Sequence, residues 1–450
     1  MSGSSSVIAG SSNPPAITEL DASQGLPPSI LLDARAYFAD RKNSTTATLD
    51  TGKAGRGIQV SICFAAPPAL SYVCIHCPGH TDADFSDKPR VVRSEKQFLL
   101  LKLSLWGARF EEQVAEYYMY QAIRGGKPKL FQIPDLGPRF RRFLTLDHFG
   151  IYRCDDDEFI LAGLAYTGGY RLHSYSSASK VWTARPADLE VEDRLTSERM
   201  PVATHKAIPL GGSLLGWVDL WKGILVCDVL CRDPQIAIGF IPLPLTGNTY
   251  DHICPWVIRD VACTDDGSLK FIEIEHLFSE PPPAVVAAPP DVMYDEDYFI
   301  SLRDDPEPEP PKFVDWKATV WNRLVSDNCW RRGVVVHGND MQVEELVGCT
   351  VIAVSTARNL LPSFPTLSIR GGDVVHMSSS GRLELGNGKT QMISIDMSSS
   401  TLKALAPCPP LEADDEFPYF PCVLSNYLGN HPALPQDTTQ ASNSGNLNQE

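Results

Sequence analysis

Apolar residues alternate with polar ones along most of the chain, in short runs separated by clusters of Gly, Asn, Asp and Ser. Alternation with a period of two places one face of a β-strand in a core and the other in solvent, and the intervening clusters are typical of turns. Few segments keep the 3.6-residue period of an amphipathic helix. Even the most helix-like stretch, residues 94–105, overlaps the run LLLKLSLW at 99–106, which is better interpreted as a buried strand. The pattern therefore predicts an all-β protein with few helices.

The strand pattern repeats along the chain. A strand is followed by a polar turn and a second strand that ends in proline, and the closing prolines Pro78, Pro134, Pro186 and Pro242 recur about every 50 to 60 residues. A later copy closes at Pro407, and a related hairpin lies between the last two copies. In chain order the six predicted hairpins are IQVSICFAA–PPA–LSYVCIHCP, EYYMYQA–IRGGKP–KLFQIP, RLHSYSS–ASK–VWTARP, GILVCDVL–CRDP–QIAIGFIP, ATVWNRL–VSDNC–WRRGVVV and QMISIDM–SSS–TLKALAP.

Further strands precede these hairpins, such as SLLGWVDLW ahead of the fourth, so each repeat makes a sheet of three to four antiparallel strands. One such sheet cannot bury both of its faces alone, but sheets packed radially around an axis can. A β-sandwich does not show this self-similarity between its strands. We therefore predict a β-propeller-like fold of about six blades, each with three to four antiparallel strands.

Three segments depart from the strand pattern. Residues 1–27 are rich in Ser, Pro and Gly, which predicts a disordered leader before a propeller-like domain at 28–410. Within that domain, residues 279–312 are rich in proline and acidic residues, which predicts an extended solvated insertion, or alternatively a proline-rich ligand for a recognition domain. Residues 411–450 form a C-terminal segment that we expect to be disordered from about residue 432.

The 450-residue chain has 55 acidic and 39 basic residues and a net charge of −16 at pH 7. An acidic protein repels phosphate backbones, so we expect no nucleic-acid partner. No secretory leader or membrane-spanning stretch is visible, which leaves the cytoplasm or the nucleus, where the twelve cysteines stay reduced. One cluster of basic residues is typical of a solvated loop rather than a phosphate site. It comprises Lys127, Lys129, Arg139, Arg141 and Arg142.

Motifs for catalysis, cofactors and metals are incomplete. The segment CIHCPGH at 74–80 has a spacing suited to zinc, but alternation along a strand places Cys74 and Cys77 on opposite faces. The sequence GNGKT at 386–390 lacks the first glycine of a phosphate-binding loop and is better interpreted as a hairpin turn. We find no nucleophile elbow and no HExxH zinc motif. We therefore predict no catalytic, cofactor-binding or metal-ligating residue.

The strongest candidates for functional positions lie in and after an aromatic block. Alternation places Trp217, Asp219 and Trp221 on one face of a predicted inner strand. A buried Asp219 needs a partner, and Arg259, followed by Asp260, holds a comparable place in the next repeat. We therefore predict an Asp219–Arg259 pair between adjacent blades. A structural role for these five residues is weighed against a role in ligand binding at the mouth of the channel.

Several blocks resemble the plant family known as domain of unknown function 1618, which is expanded in grasses. The central blocks are GGSLLGWVDLWKGILVCDVL at 211–230, FIPLP at 240–244 and RDVACTDDGSLKFIEIEH at 259–276. Residues 30–48 and 71–79 resemble its N-terminal region, and residues 393–408 and 421–432 resemble its C-terminal region. The resemblance implies an uncharacterised protein and assigns no activity, cofactor or catalytic residue.

Two classes of function remain open. The repeat architecture and the missing catalytic motifs favour a non-catalytic scaffold that presents loops to an unknown protein partner. The alternative is a hydrolase that uses a pocket at the centre of the propeller, by analogy with the fold alone. The titratable residues to inspect for that role are Asp219, Arg259, Asp260, His173 and His205. We expect no membrane partner, and the sequence does not fix the oligomeric state.

Overall fold

β-Strands make up almost all of the regular structure. The computed structural model describes residues 14–15, 20, 25–53, 56–107, 113–137, 148–155, 157–189, 204–245, 253–279, 313–343, 360–381, 390–409, 411 and 417–428. Within these ranges there are 26 strands, one four-residue α-helix and short 3-10 turns. The prediction of an all-β protein with few helices is therefore confirmed.

The strands fall into six units. Unit 1 begins with β1 (Ile30–Phe38), β2 (Ala47–Lys53), β3 (Arg56–Cys63) and β4 (Leu70–His76). Unit 2 contains β5 (Arg90–Glu95), β6 (Phe98–Trp106), β7 (Gln113–Gln121) and β8 (Lys129–Ile133). Unit 3 contains β9 (Gly150–Arg153), β10 (Phe159–Tyr166), β11 (Tyr170–Ser176) and β12 (Val181–Leu189). Unit 4 contains β13 (Lys206–Gly211), β14 (Leu214–Asp219), β15 (Gly223–Asp228) and β16 (Ile236–Pro242).

Units 5 and 6 follow the same plan. Unit 5 opens with α1 (Pro255–Ile258) and contains β17 (Arg259–Cys263), β18 (Ser268–Phe278), β19 (Phe313–Leu324) and β20 (Arg331–His337). Unit 6 contains β22 (Leu360–Leu367), which we count as its first strand, β23 (Val374–Gly381), β24 (Thr390–Asp396) and β25 (Thr401–Pro407), and the two-residue β21 (Gln342–Val343) pairs with β25. The final strand, β26 (Tyr419–Cys422), returns to unit 1 and pairs antiparallel with β1.

All six predicted hairpins are present. They are the antiparallel pairs β3–β4, β7–β8, β11–β12, β15–β16, β19–β20 and β24–β25. Other pairings join units into larger sheets: β1 is parallel to β4 and also contacts β5, and β12 is parallel to β16. The result is one sheet of nine strands, one of eight, one of four and one of five.

Turn chemistry fixes the register of the first two strands of unit 5. The sequence TDDGS at 264–268 joins β17 to β18, and Gly267 adopts a φ of 77°, in the left-handed region that glycine reaches without a steric penalty. Asp266 accepts a hydrogen bond from the Ser268 amide at 3.0 Å, and the Thr264 amide donates to the Ser268 carbonyl at 2.9 Å. This turn sets Arg259 opposite Glu273 on the paired strands.

Apolar residues pack between each unit and the next. Six clusters of buried side chains lie at these boundaries, and the last of them joins unit 6 to unit 1. In order round the units, members that share a cluster are Ile62 with Leu101, Leu100 with Phe159, Leu172 with Trp217, Ile224 with Phe271, Ile274 with Met377, and Met392 with Leu31. Each unit therefore buries apolar side chains on both faces of its sheet.

The first strands of successive units also contact one another. β1 contacts β5, β5 contacts β9, β9 contacts β13, β13 contacts β17, β17 contacts β22, and β22 contacts β26 beside β1. The two largest sheets are nearly closed, because β8 contacts β2 in one and β9 contacts β13 in the other. These strands bring residues from distant parts of the sequence to one place.

The predicted irregular segments lie mainly outside the described residues, but their described parts make contacts. Within the predicted leader at 1–27, Leu26 is buried in the cluster between units 1 and 2. Within the predicted C-terminal segment, residues 417–428 supply β26 and a short 3-10 turn. The predicted insertion is not described from 280 to 312, but Phe278 pairs with Phe313, so it leaves and re-enters at the end of the β18–β19 hairpin.

We predict that truncating the side chain of Leu31 weakens the boundary between units 6 and 1. Leu31 is 1% exposed, and the Leu31→Ala change removes buried methyl groups and leaves a cavity, so unfolding should become easier by about 2–4 kcal/mol. Chemical denaturation monitored by tryptophan fluorescence measures this change. The matched control is Leu324→Ala, since Leu324 is 48% exposed and should lose less than about 0.5 kcal/mol. Equal losses in the two variants would contradict the packing described here.

Candidate functional site

A cavity of about 170 Å³ lies where the first strands of five units converge. Its walls come from β1, from the start of β5, from the segment entering β13, from β17, from the end of β22, and from β26 with the residues before it. We call it the central cavity. Among its described lining residues, basic side chains outnumber carboxylates: Arg90, Arg93, Lys102 and Lys206 stand against Asp87 and Asp260. A cation-rich cavity in so acidic a protein is the feature of the fold most suited to recognition.

One side of the central cavity is held by a buried ion pair. The ammonium of Lys206 contacts the Asp260 carboxylate, and these side chains are only 12% and 6% exposed. The second carboxylate oxygen of Asp260 accepts a hydrogen bond from the Leu367 amide at 2.9 Å. Asp260 therefore ties together units 4, 5 and 6, while the Lys206 ammonium also lies 5.6 Å from the ring of Phe417.

Three cations follow one another across adjacent strands, and two of them, Arg90 and Lys102, line the central cavity. Arg35 on β1 is directly opposite Arg90 on β5, and Arg90 is directly opposite Lys102 on β6. Directly opposed residues in an antiparallel pair share a face, and like charges in that position are destabilising. A register shift in β5 between Val91 and Arg93 brings Arg93 to the same cavity, as bulges commonly do beside binding sites.

A buried carboxylate supports the first of these cations. Asp33 has no exposed surface, and it accepts hydrogen bonds from the Arg35 amide at 2.9 Å and from the Tyr37 hydroxyl at 2.7 Å. Burial raises the pKa of Asp33, while Arg35 and the hydrogen bonds oppose that rise. The arrangement fixes the start of β1 beside the cavity.

His205 borders the central cavity as a neutral ring. Its Nδ1 accepts a hydrogen bond from the Leu220 amide at 3.0 Å, so the proton of the neutral ring is on Nε2. Burial lowers the pKa of His205, and the nearby Asp219 carboxylate, 3.9 Å away, only partly opposes this. Burial likewise raises the pKa of Asp219, whose carboxylate accepts the Trp221 amide at 2.9 Å. The ring can therefore donate one hydrogen bond to a ligand.

Residues 217–376 match the family described as Protein of unknown function (DUF1618). The chain therefore carries a DUF1618 segment. The match begins in β14 and ends in β23, so it covers unit 5 in full and units 4 and 6 in part. A search of curated proteins finds no match to the chain. In this DUF1618 protein the matched region contributes Asp260 and Thr366 to the central cavity, whereas the cationic side chains come from residues before it.

The predicted ion pair between Asp219 and Arg259 is wrong. Arg259 donates instead to Glu273, from its Nε at 2.9 Å, and both side chains are almost fully buried. The β17–β18 register explains this difference, because it places Glu273 directly opposite Arg259. Arg259 still joins units 4 and 5, since it donates to the Leu220 carbonyl at 3.2 Å and its guanidinium lies 4.4 Å from the ring of Trp221.

The other predicted residues separate into two environments. Asp260 lines the central cavity, as does His205, whereas Trp217 is buried in the cluster between units 3 and 4. His173 is buried on β11, and desolvation lowers its pKa. Four residues that line the cavity were not predicted from the sequence: Arg90, Arg93, Lys102 and Lys206. The sequence gives little indication of these four residues, because strand register brings them together and they form no motif.

The DUF1618 protein also brings charged residues together at the far ends of its first strands. Glu95 ends β5, Arg153 ends β9, and Asp265 lies in the turn after β17, and the last two affect the ionisation of Glu95. Burial is the main cause that raises the pKa of Glu95 to about 7. This carboxyl group therefore changes its charge near neutral pH.

Metal ligands do not cluster within the described ranges, where no group of three or more His, Cys, Asp or Glu residues could hold an ion. In the CIHCPGH segment, Cys74 packs with Cys63 and Tyr72, while Cys77 joins the cluster between units 1 and 2. The two thiols thus belong to different environments. The part of the chain that the structure describes also contains no helix with the length and apolarity needed to cross a membrane.

We predict that Arg259 is energetically coupled to Glu273 and not to Asp219. Glu273→Gln leaves the buried guanidinium without its carboxylate, so the free energy of unfolding should fall by about 3 kcal/mol. Double-mutant cycles by chemical denaturation test the partner directly. The cycle of Arg259→Met with Glu273→Gln should give more than about 1 kcal/mol of coupling, and that with Asp219→Asn less than about 0.5 kcal/mol. A larger coupling energy between Arg259 and Asp219 than between Arg259 and Glu273 would contradict this prediction and support the Asp219–Arg259 pair.

We predict that Glu95 makes the protein less stable as the pH rises through neutrality. The pKa of Glu95 is raised from 4.5 to about 7, so the folded state keeps this proton while the unfolded state loses it. The contribution of protonated Glu95 to the free energy of unfolding is fully present below about pH 4.5 and is lost as the pH passes through about 7. Glu95→Gln should therefore melt like the parent at about pH 5 and at a higher temperature at about pH 8.5. The exposed-site control Asp340→Asn should show no such difference, and a pH-independent effect of Glu95→Gln would contradict this assignment.

Proposed function

We propose that this DUF1618 protein is a non-catalytic protein–protein interaction module built as a six-bladed β-propeller. Six strand units, the cyclic order of contacts between their first strands, and a buried cluster at every boundary support this architecture. The pairing of β26 with β1 brings the first and last described strands together within one blade. A propeller leaves only short strand edges exposed and leaves its loops and axial cavity available to a partner.

The charge of the central cavity supports one class of partner. Arg35, Arg90 and Lys102 lie side by side across three strands, and their positive charge favours an anionic group of a partner. We propose that a carboxylate side chain from an acidic segment of a partner protein enters the cavity and lies beside these cations. The volume of about 170 Å³ suits the head of one or two side chains better than a large cofactor.

The chemistry of the cavity favours binding over hydrolysis. In the tautomer described, His205 Nε2 is protonated and its Nδ1 is already engaged by the Leu220 amide, so neither nitrogen is positioned to accept a proton from a nucleophile. The Tyr419 hydroxyl donates to the Phe364 carbonyl at 2.8 Å. Two candidate residues for a hydrolase, Arg259 and His173, are buried and do not line the cavity.

The proposal includes the protein's setting. With a net charge of −16, the protein is unsuited to nucleic acid, and we propose that a protein is its partner. We propose that it is a plant protein that acts in the cytoplasm or the nucleus, in keeping with the likeness to the grass-expanded family and with a sequence that carries twelve cysteines.

We predict that the full chain binds a short peptide with two adjacent glutamates in an otherwise neutral sequence. The same peptide with glutamines should bind at least about ten-fold more weakly, because it lacks the charge that the cations recognise. Fluorescence anisotropy of labelled peptides at low salt measures both affinities. Raising the salt concentration should weaken the glutamate peptide alone.

Two variants locate this binding. Arg90→Gln and Lys102→Gln should each weaken the glutamate peptide about five-fold or more, and Lys403→Gln, at a cation on the outer strand β25, should not. Thermal melts of each variant check that the fold is retained. Equal binding of the two peptides, no binding of either, or an equal effect of Lys403→Gln would contradict a role for the central cavity.

A further inference from the structure

A second and larger cavity, of about 580 Å³, lies between units 1 and 2. It is bordered by β3, by the segment between β4 and β5, and by the outer parts of β6, β7 and β8. We call it the lateral cavity. It shares no described lining residue with the central cavity. Its volume falls within the range of about 300 to 1,000 Å³ that is typical of sites for small organic ligands.

Aromatic rings form much of the wall of the lateral cavity. Phe85 is buried and packs on Phe38, with ring centroids 4.4 Å apart, and His80 lies 5.7 Å from Phe85. Tyr118 is also buried, whereas Trp106 is 48% exposed at the rim. Two rings are therefore held rigidly, and the third is open to a ligand entering from solvent.

Two carboxylates lie among these rings. Glu116 accepts a hydrogen bond from the Tyr118 hydroxyl at 2.5 Å. Asp84 accepts the Thr81 amide at 2.7 Å, which fixes it at the short turn that precedes Phe85. Neither Lys nor Arg occurs among the described residues that line this cavity, although the Nδ1 of His80 lies 3.9 Å from the Asp84 carboxylate. Its charge is therefore opposite to that of the central cavity.

The negative charge of Glu116 also affects the ionisation of the Cys77 thiol. Burial raises the pKa of Cys77 to about 12, and the negative charge of Glu116 contributes to the rise. Cys77 is thus a neutral wall residue, and the two carboxylates carry the charge of the cavity. A ligand that displaces water from these carboxylates is better accommodated when it carries a positive charge.

We propose that the lateral cavity binds a small organic cation, an amine or guanidinium carried on an apolar or aromatic body. The cation would lie between Asp84 and Glu116 and against the face of Trp106, where cation–π attraction adds about 0.5 to 2 kcal/mol. The apolar body would pack on Phe85 and Tyr118. A neutral ligand would gain nothing from the negative charge of the carboxylates, and an anion would be repelled by them.

The test uses a matched pair of probes on the full chain. Isothermal titration calorimetry with 2-phenylethylamine, which is cationic at neutral pH, should give a dissociation constant at least about ten-fold lower than that of 2-phenylethanol, its neutral isostere. The cation and the alcohol share the same apolar body, so the difference reports on the charge. Equal affinities, or no binding of the amine up to about 10 mM, would overturn the proposal.

Variants assign the binding to this cavity. Glu116→Gln should weaken the amine about five-fold or more and leave the alcohol unchanged, and Trp106→Ala should weaken the amine by about three-fold or more. Trp106 is half exposed, so its truncation is compatible with folding if the Glu116 variant is not. The charge-matched control Asp340→Asn, at an exposed site in unit 5, should bind like the parent. An unchanged affinity in both Glu116→Gln and Trp106→Ala would place any bound amine elsewhere and refute the assignment.

Discussion

Every sheet in this protein has two apolar faces, and both must be kept from water. β6 illustrates the constraint: Leu99, Leu101 and Leu103 pack into the cluster with unit 1, while Phe98 and Leu100 pack into the cluster with unit 3. Complete burial of each such side chain is worth about 1.5 to 3 kcal/mol. A unit exposed on one face would forgo that stabilisation along the length of its strands. The succession of units, the convergence of their first strands and the positions of both cavities follow from satisfying every face at once.

The sequence reveals the parts of this arrangement that are encoded locally. Hairpins are specified by alternation and by turn residues, so all six could be predicted with their strands. The run around Leu99–Leu101 has no clear alternation because both faces of β6 are buried, and only its length and flanks mark it as a strand. β26 escaped detection because four residues containing a proline give too little pattern to identify a strand. Its pairing with β1 depends on residues almost 400 positions away.

The candidate sites depend on register, which the sequence does not state. Arg35, Arg90 and Lys102 become neighbours only because β1, β5 and β6 pair in one particular alignment, and a shift of one residue would turn them to the other face. The same reason accounts for Arg259, whose carboxylate partner Glu273 lies across a hairpin instead of in the preceding unit. Asp260 could be anticipated as a buried polar residue that needs partners, but its link to Lys206 and Leu367 requires the three-dimensional structure.

The position of β26 has a consequence for synthesis of the chain on the ribosome. β1 is among the first strands to emerge, yet one of its edges is paired by Tyr419–Cys422. Five later units are therefore translated while that edge still lacks its final partner, and an unpaired edge is a template for wrong pairings. The pairing of β1 is therefore complete only after the four residues of β26 have been synthesised.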